Sequence, residues 1–224
     1  MEGLKSLTEP LRVIDLPPCS EDEGGLSTAE IKQITSSDYR IQWRHTRRLR
    51  LPYEARQNRR KQIARAKREG ITCEIVSDWR RVAELHEQSR NRKDIEHNGE
   101  QLEKLLTAIA KEDFAFAVEA RDDQGTCIAS GGMIMVGPKS CLYAFGGQIR
   151  GPHSAIASVA MLDFAMNEAN ARGAEVFDFG GSSDPGVDRF YKEFGAENVP
   201  RARLVYAAWW LKPVLRVMRP DLSA

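Results

Sequence analysis

Cysteine is scarce in this chain, and the four present, Cys19, Cys73, Cys127 and Cys141, stand far apart with no C-x-x-C pair among them. That spacing argues against a disulfide framework and a structural zinc site, and it fits reduced core thiols in a cytoplasmic protein. No apolar run approaches the roughly 20 residues that a membrane span requires. The stretch from Met1 to Gly25 is acidic and proline-bearing, and it lacks the basic flank and apolar core of a signal peptide. An excess of one charge is missing too: 33 Lys and Arg against 32 Asp and Glu leave a formal net charge of +1, so global charge makes neither nucleic acid nor membrane an obligatory partner. His86 and His97 have no partner at ligand spacing, and no metal is expected. What is present is core material: 42% hydrophobic content in 224 residues suffices for one main domain.

Residues 1 to 37 mix Pro10, Pro17, Pro18, Glu21-Asp22-Glu23 and Gly24-Gly25 around a short apolar patch at Leu11 to Leu16, which reads as an N-terminal tail or docking arm. Residues 38 to 224 carry the domain. Glu54 to Glu69 holds no Pro or Gly and stops at Gly70, as a helix does. A short strand at Ile71 to Val76 follows, then a helix capped by Asp78 and another bearing Leu102, Leu105, Leu106 and Ile109 on one face. Phe114 to Ala120, Thr126 to Val136 and Cys141 to Gly147 alternate between turns and predict an antiparallel meander of three strands. Next come a helix from Ala155 to Arg172, a strand from Glu175 to Phe179, a helix from Gly186 to Phe194 and a strand from Arg201 to Trp209. This order predicts a mixed α/β (α+β) sheet flanked by helices, with a wedge where the meander's last strand parts from the strand after the crossover helix.

The segment FDFGGSSDPGVDRFYKEFGAE, Phe177 to Glu197, joins strand, glycine turn and helix. With the basic helix NRRKQIARAKREG, the RNRKD stretch near Arg92 and the YAFGGQ strand end at Tyr143 to Gln148, it resembles the Fem-type transferases, the peptidoglycan interpeptide-bridge enzymes, within the GNAT superfamily. The resemblance covers roughly residues 38 to 210. It implies a GNAT-like domain in which an amine attacks an activated carbonyl in the wedge and backbone N–H groups near Phe145, Gly146 and Gly147 meet the oxyanion. For an acyl-CoA donor it implies a pyrophosphate loop at Gln148, Arg150, Gly151 and Ser154, in front of a helix N-terminus. Pro152 and His153 depart from the usual loop, and the same residues also read as a plain helix cap.

Tyr191 stands where GNAT enzymes place a tyrosine that protonates the departing thiolate, and Lys192 beside it is a candidate for the same work or for holding a phosphate. Phe190, Tyr191 and Phe194 also read as core aromatics. Asp178 is the candidate base, or alternatively a cap on the turn amides of Gly180, Gly181 and Ser182, the turn proposed to hold substrate together with Arg92. Asp184 reads as an N-cap and Asp188 as a solvated helix residue. The basic stretch from Arg44 to Arg68 reads either as a solvated helix or as a footprint for a tRNA or a nucleotide-linked substrate. Trp209 to Met218 reads as a strand end with a packed C-terminal segment, or as a helix lying on a membrane surface. The leading expectation is an N-acyltransferase using acyl-CoA and a small-molecule or peptide amine. A tRNA-dependent aminoacyltransferase and a non-catalytic binding module are the alternatives.

Overall fold

The computed structural model describes residues 10–18, 27–34, 38–92, 98–181, 184–219 and 222. In chain order the elements are β1 (Leu11–Pro18), α1 (Thr28–Ile34), β2 (Arg40–Arg50), α2 (Gln57–Arg68), β3 (Thr72–Val76), α3 (Arg80–Asn91), α4 (Gly99–Ile109), β4 (Ala115–Arg121), β5 (Cys127–Val136), β6 (Ser140–Gln148), α5 (Ser154–Ala171), β7 (Val176–Asp178), α6 (Pro185–Lys192), β8 (Glu197–Ala207) and α7 (Lys212–Met218). They fall into two compact units, Arg47–Glu197 and Met1–Thr46 with Asn198–Ala224.

In the larger unit the strand order is β2–β7–β6–β5–β4–β3, with β2 contributing its end from Arg47. Every neighbouring pair is antiparallel except β6 and β7. Parallel neighbours need a crossover, and α5 supplies it. The expected meander is therefore present as β4 to β6, and the fold class is mixed α+β. Both faces of this sheet are covered: Phe116, Val118 and Ala120 of β4 join a core with α5, while Ala117 between them packs with Trp79, Val82 and Leu106. Alternate residues of a strand point to opposite faces, so α5 covers one face and α3 with α4 the other. On α5 the predicted inward residues Ile156, Val159, Leu162, Met166 and Ala169 are all buried. Cys73, Cys127 and Cys141 are free thiols. Burial pushes Cys127 up to about 11 and Cys141 up to about 12, as suits inert strand thiols.

In the smaller unit β1 pairs antiparallel with β8 from Leu11↔Ala207 to Pro18↔Arg201. The apolar patch of the N-terminal arm forms this strand, fastened by Arg203, which donates to both carboxylate oxygens of Asp15 at 2.8 and 2.7 Å. Residues 1–9, 19–26 and 35–37 of that arm lie outside the described residues. The segment after β8 is not packed along its length: Leu215 is buried, but Trp209, Trp210, Val214, Val217 and Met218 are exposed. Among the described residues no helix is long and apolar enough to cross a membrane.

Candidate active site

β6 and β7 are paired over only three positions, Ser140↔Val176, Cys141↔Phe177 and Leu142↔Asp178. Past Leu142, β6 continues to Gln148 against β5 alone, while the chain after Asp178 turns off through Gly180 at φ +71°. A bulge assists the parting. Gly132 pairs with Phe145 and Met133 with Tyr143, which leaves Ala144 as an extra residue in β6, and a bulge bends its strand and increases twist. At the gap lies a cavity of about 550 Å³ lined by residues that include His86, Arg92, Tyr143, Gly146, Gly147 and Tyr191.

Two glycines clear space on β6, and one of them, Gly147, lets α3 settle on the strand. A Cβ on Gly147 would overlap the carbonyl group of Leu85, and one on Gly146 would overlap the Tyr143 hydroxyl. With no Cβ in the way, α3 lies directly on the strand backbone and presents His86, whose Nδ1 accepts a hydrogen bond from the Gly146 N–H at 3.2 Å. The imidazole stands edge-on to Phe145 with ring centroids 5.5 Å apart. This N–H is directed at a side chain that lines the cavity rather than at a neighbouring strand. As acceptor, Nδ1 carries no proton.

Tyr191 comes from α6. Asp184 caps that helix as its spacing predicts, accepting from the N–H groups of Gly186 at 2.8 Å and Val187 at 3.4 Å, with Pro185 at the first helical position. The Tyr191 ring stacks on Phe179 at 4.8 Å and meets Tyr143 edge-on at 6.5 Å. Burial first, then the neighbouring Tyr143 and Asp184, push the phenol above its ordinary value of 10.0. It therefore stays protonated through neutral and mildly alkaline conditions, as a proton donor must. Behind it, the buried Arg59 guanidinium lies 4.3 Å from the Phe190 ring and 4.4 Å from that of Phe194, and its Nη2 donates to the Phe190 carbonyl at 2.6 Å. This bolts α2 to α6.

The structure gathers Gly146, Gly147, Gln148, Arg92, Gly181 and Tyr191 around the cavity. The Gln148 side chain accepts from the Ser158 hydroxyl, and Arg92 donates to the Gln148 carbonyl at 3.3 Å. The other expected residues are not brought there. The Phe145 side chain packs with Trp79, Val82 and Leu106 and is not among the lining residues, and Lys192 is solvent-exposed on α6. Ser182 lies outside the described residues, as do Lys93 and His97. His86, Tyr143 and Ser158 are cavity residues that the sequence reading did not select.

Asp178, expected as the base, is not part of the cavity lining. Its buried carboxylate accepts from the Gly180 N–H at 2.8 Å and lies 3.5 Å from Arg48 Nε, so it caps the turn and neutralises an arginine. Asp178→Asn keeps a cap but leaves Arg48 without that counter-charge. A loss of about 2 kcal/mol in denaturant unfolding is expected, with specific activity retained. Asp188 also departs from its reading as a solvated residue: Arg47 donates to both of its carboxylate oxygens, at 2.6 and 2.7 Å.

The loop before α5 does not fit a pyrophosphate. Arg150 and Gly151 are exposed and absent from the cavity lining. The Ser154 hydroxyl and amide both donate to the Gly151 carbonyl, at 2.6 and 3.3 Å, and Pro152 has no N–H to offer. Glu69 Oε2, at the end of α2, stands 2.9 Å from His153 Nδ1 and sets a carboxylate beside this loop. On α2 the basic residues divide: Arg59 is buried and Arg65 pairs with Glu69, while Arg60, Lys61, Lys67 and Arg68 are exposed.

No protein-family model and no curated protein matches the sequence. Solved structures do match in shape. FemX superposes with a TM-score of 0.71 at 15% identity, over 97% of this chain and 76% of that one. L-PGS from Bacillus licheniformis gives 0.60 at 13% identity, over 90% and 74%. The C-terminal domain of a putative lysylphosphatidylglycerol synthetase from Agrobacterium fabrum gives 0.52 at 14% identity over 75% of this chain, which spans 62% of that one. These superpositions show a shared fold, a mixed sheet flanked by helices.

Proposed function

We propose that the protein is an N-acyltransferase that moves an acyl group, carried as an aminoacyl ester in preference to a coenzyme A thioester, onto an amine. The observation that carries this reading is the gap beyond Leu142 and Asp178, where Gly146, its N–H turned to His86, and Tyr191 line one cavity. The donor carbonyl enters between them. As the amine nitrogen attacks, the carbonyl oxygen gains negative charge and displaces His86 Nδ1 from the Gly146 amide. The freed imidazole nitrogen accepts the proton that the attacking amine sheds. When the tetrahedral intermediate collapses, the bond from carbon to the leaving oxygen breaks and Tyr191 protonates that oxygen; the proton taken up by His86 then returns to the phenolate through solvent and restores both groups. An alkoxide is far more basic than a thiolate and depends more on such a donor.

The poor fit of the α5 loop to a pyrophosphate supports an ester donor over acyl-CoA. The exposed cations of α2 and Arg92 at the cavity support a polyanionic carrier such as tRNA. The likeness to FemX and to the Agrobacterium domain, whose name specifies a lysyl group, supports the class of transfer. Asp178 is assigned a positioning role, holding the Gly180 turn beside the site.

Calorimetric titration with aminoacyl-tRNA and with acetyl-CoA, each followed by an assay for amide formation with hydroxylamine, tests this reading. Binding and turnover of the ester are expected. Binding of neither ligand would leave a binding module on the same fold, and turnover of acetyl-CoA alone would restore the thioester donor.

A further inference from the structure

We propose that the segment from Trp209 to Met218 docks the protein onto a bilayer surface bearing anionic headgroups. Trp209 is 82% exposed, Val217 84% and Met218 72%, an accumulation of free apolar surface that a lone exposed residue would not create. Val214, Val217 and Met218 recur at spacings of three and one and share one side of α7, with the exposed Trp209 and Trp210 in the turn before it, whereas Leu215 points into the unit and is buried. The charges are one-sided. Between Ala208 and Arg219 the formal charges are Lys212, Arg216 and Arg219, all exposed, with no acid among them.

Tryptophan at one end, an aliphatic face and flanking cations are the combination that settles at the boundary of headgroups and acyl chains. The seven residues of α7 are far short of a span, so the mode is surface contact. Pairing with a second copy is disfavoured by charge, since each copy would bring three cations and no acid from this segment to the same contact. This inference is independent of the transfer chemistry.

The test is sedimentation of the full chain with phosphatidylcholine vesicles and with vesicles containing phosphatidylglycerol, alongside tryptophan emission. Partition into the anionic vesicles is expected, with a blue shift and with weakening at high salt. Lys212→Gln with Arg216→Gln should reduce partition roughly thirtyfold, from about 1 kcal/mol per cation near such a surface. Trp209→Ser with Val217→Ser should abolish the binding that salt does not remove, and both variants should melt as the parent does because the altered side chains are exposed. Absence of partition overturns the proposal. So does concentration-dependent dimerisation that the Trp209→Ser and Val217→Ser changes abolish, or capture by an acidic protein without vesicle binding.

Discussion

Replacing Tyr191 by Phe is expected to lower kcat by about a hundredfold while leaving donor affinity unchanged. The substitution removes one oxygen and keeps the ring, so the stacking on Phe179 and the edge contact with Tyr143 persist and folding is little disturbed. The loss falls on the step in which the leaving oxygen takes a proton. Single-turnover kinetics separate this from binding: the rate of acyl transfer drops while the concentration dependence stays put. The sign of the pH dependence follows from the raised phenol value. Tyr191 keeps its proton above pH 10.0, so the wild-type rate has no alkaline fall from this group near neutrality. Folding stability behaves in parallel: it is full below the unfolded value of 10.0 and declines as pH climbs from there toward the folded value, because the unfolded chain then binds fewer protons. An unaltered rate in Tyr191→Phe would make the phenol a packing group and remove the proton donor from the proposed mechanism.

Gly147→Ala is expected to cost about 3 kcal/mol of stability, and to reduce activity through geometry alone. The added methyl group would occupy the place of the Leu85 carbonyl, and a backbone group cannot swing aside as a side-chain tip can. α3 must lift from β6, and His86 leaves the Gly146 amide with it. Chemical denaturation measures the first effect; amide exchange at Gly146, faster in the variant, reports the second. A stable Gly147→Ala protein with an undisturbed Gly146 amide would show that α3 does not rest on this strand.

Much of the larger unit was legible because its elements follow their own periodicities. The meander alternates between turn residues, α5 repeats apolar positions and stops at a glycine, and Asp184-Pro185 announces α6. β2 was not legible, since the sequence RIQWRHTRRLR reads as a continuation of a basic stretch. Two of its arginines are in fact taken up by the fold, Arg48 buried beside Asp178 and Arg47 clasping Asp188, partners 130 or more positions away that no local pattern reveals. The same limit applies to the site. Gly146-Gly147 pointed to free amides, but what meets them is decided by α3, and nothing around His86 marks it as the residue that reaches Gly146. Asp178 drew attention by standing at a strand end beside glycines; the arginine it meets, Arg48, comes from a strand the sequence concealed.

The contact between the Gly146 amide and His86 bears on how tightly a substrate should be held. A neutral ester oxygen gains little by evicting an imidazole nitrogen, and a ground-state donor can rest in the slot with that contact intact. Under the proposed mechanism the exchange becomes downhill only once charge has built up, so the interaction would be withheld from a bound ester and granted to the state that is turning into product. An enzyme built in this manner binds its donor loosely and recovers the difference as speed.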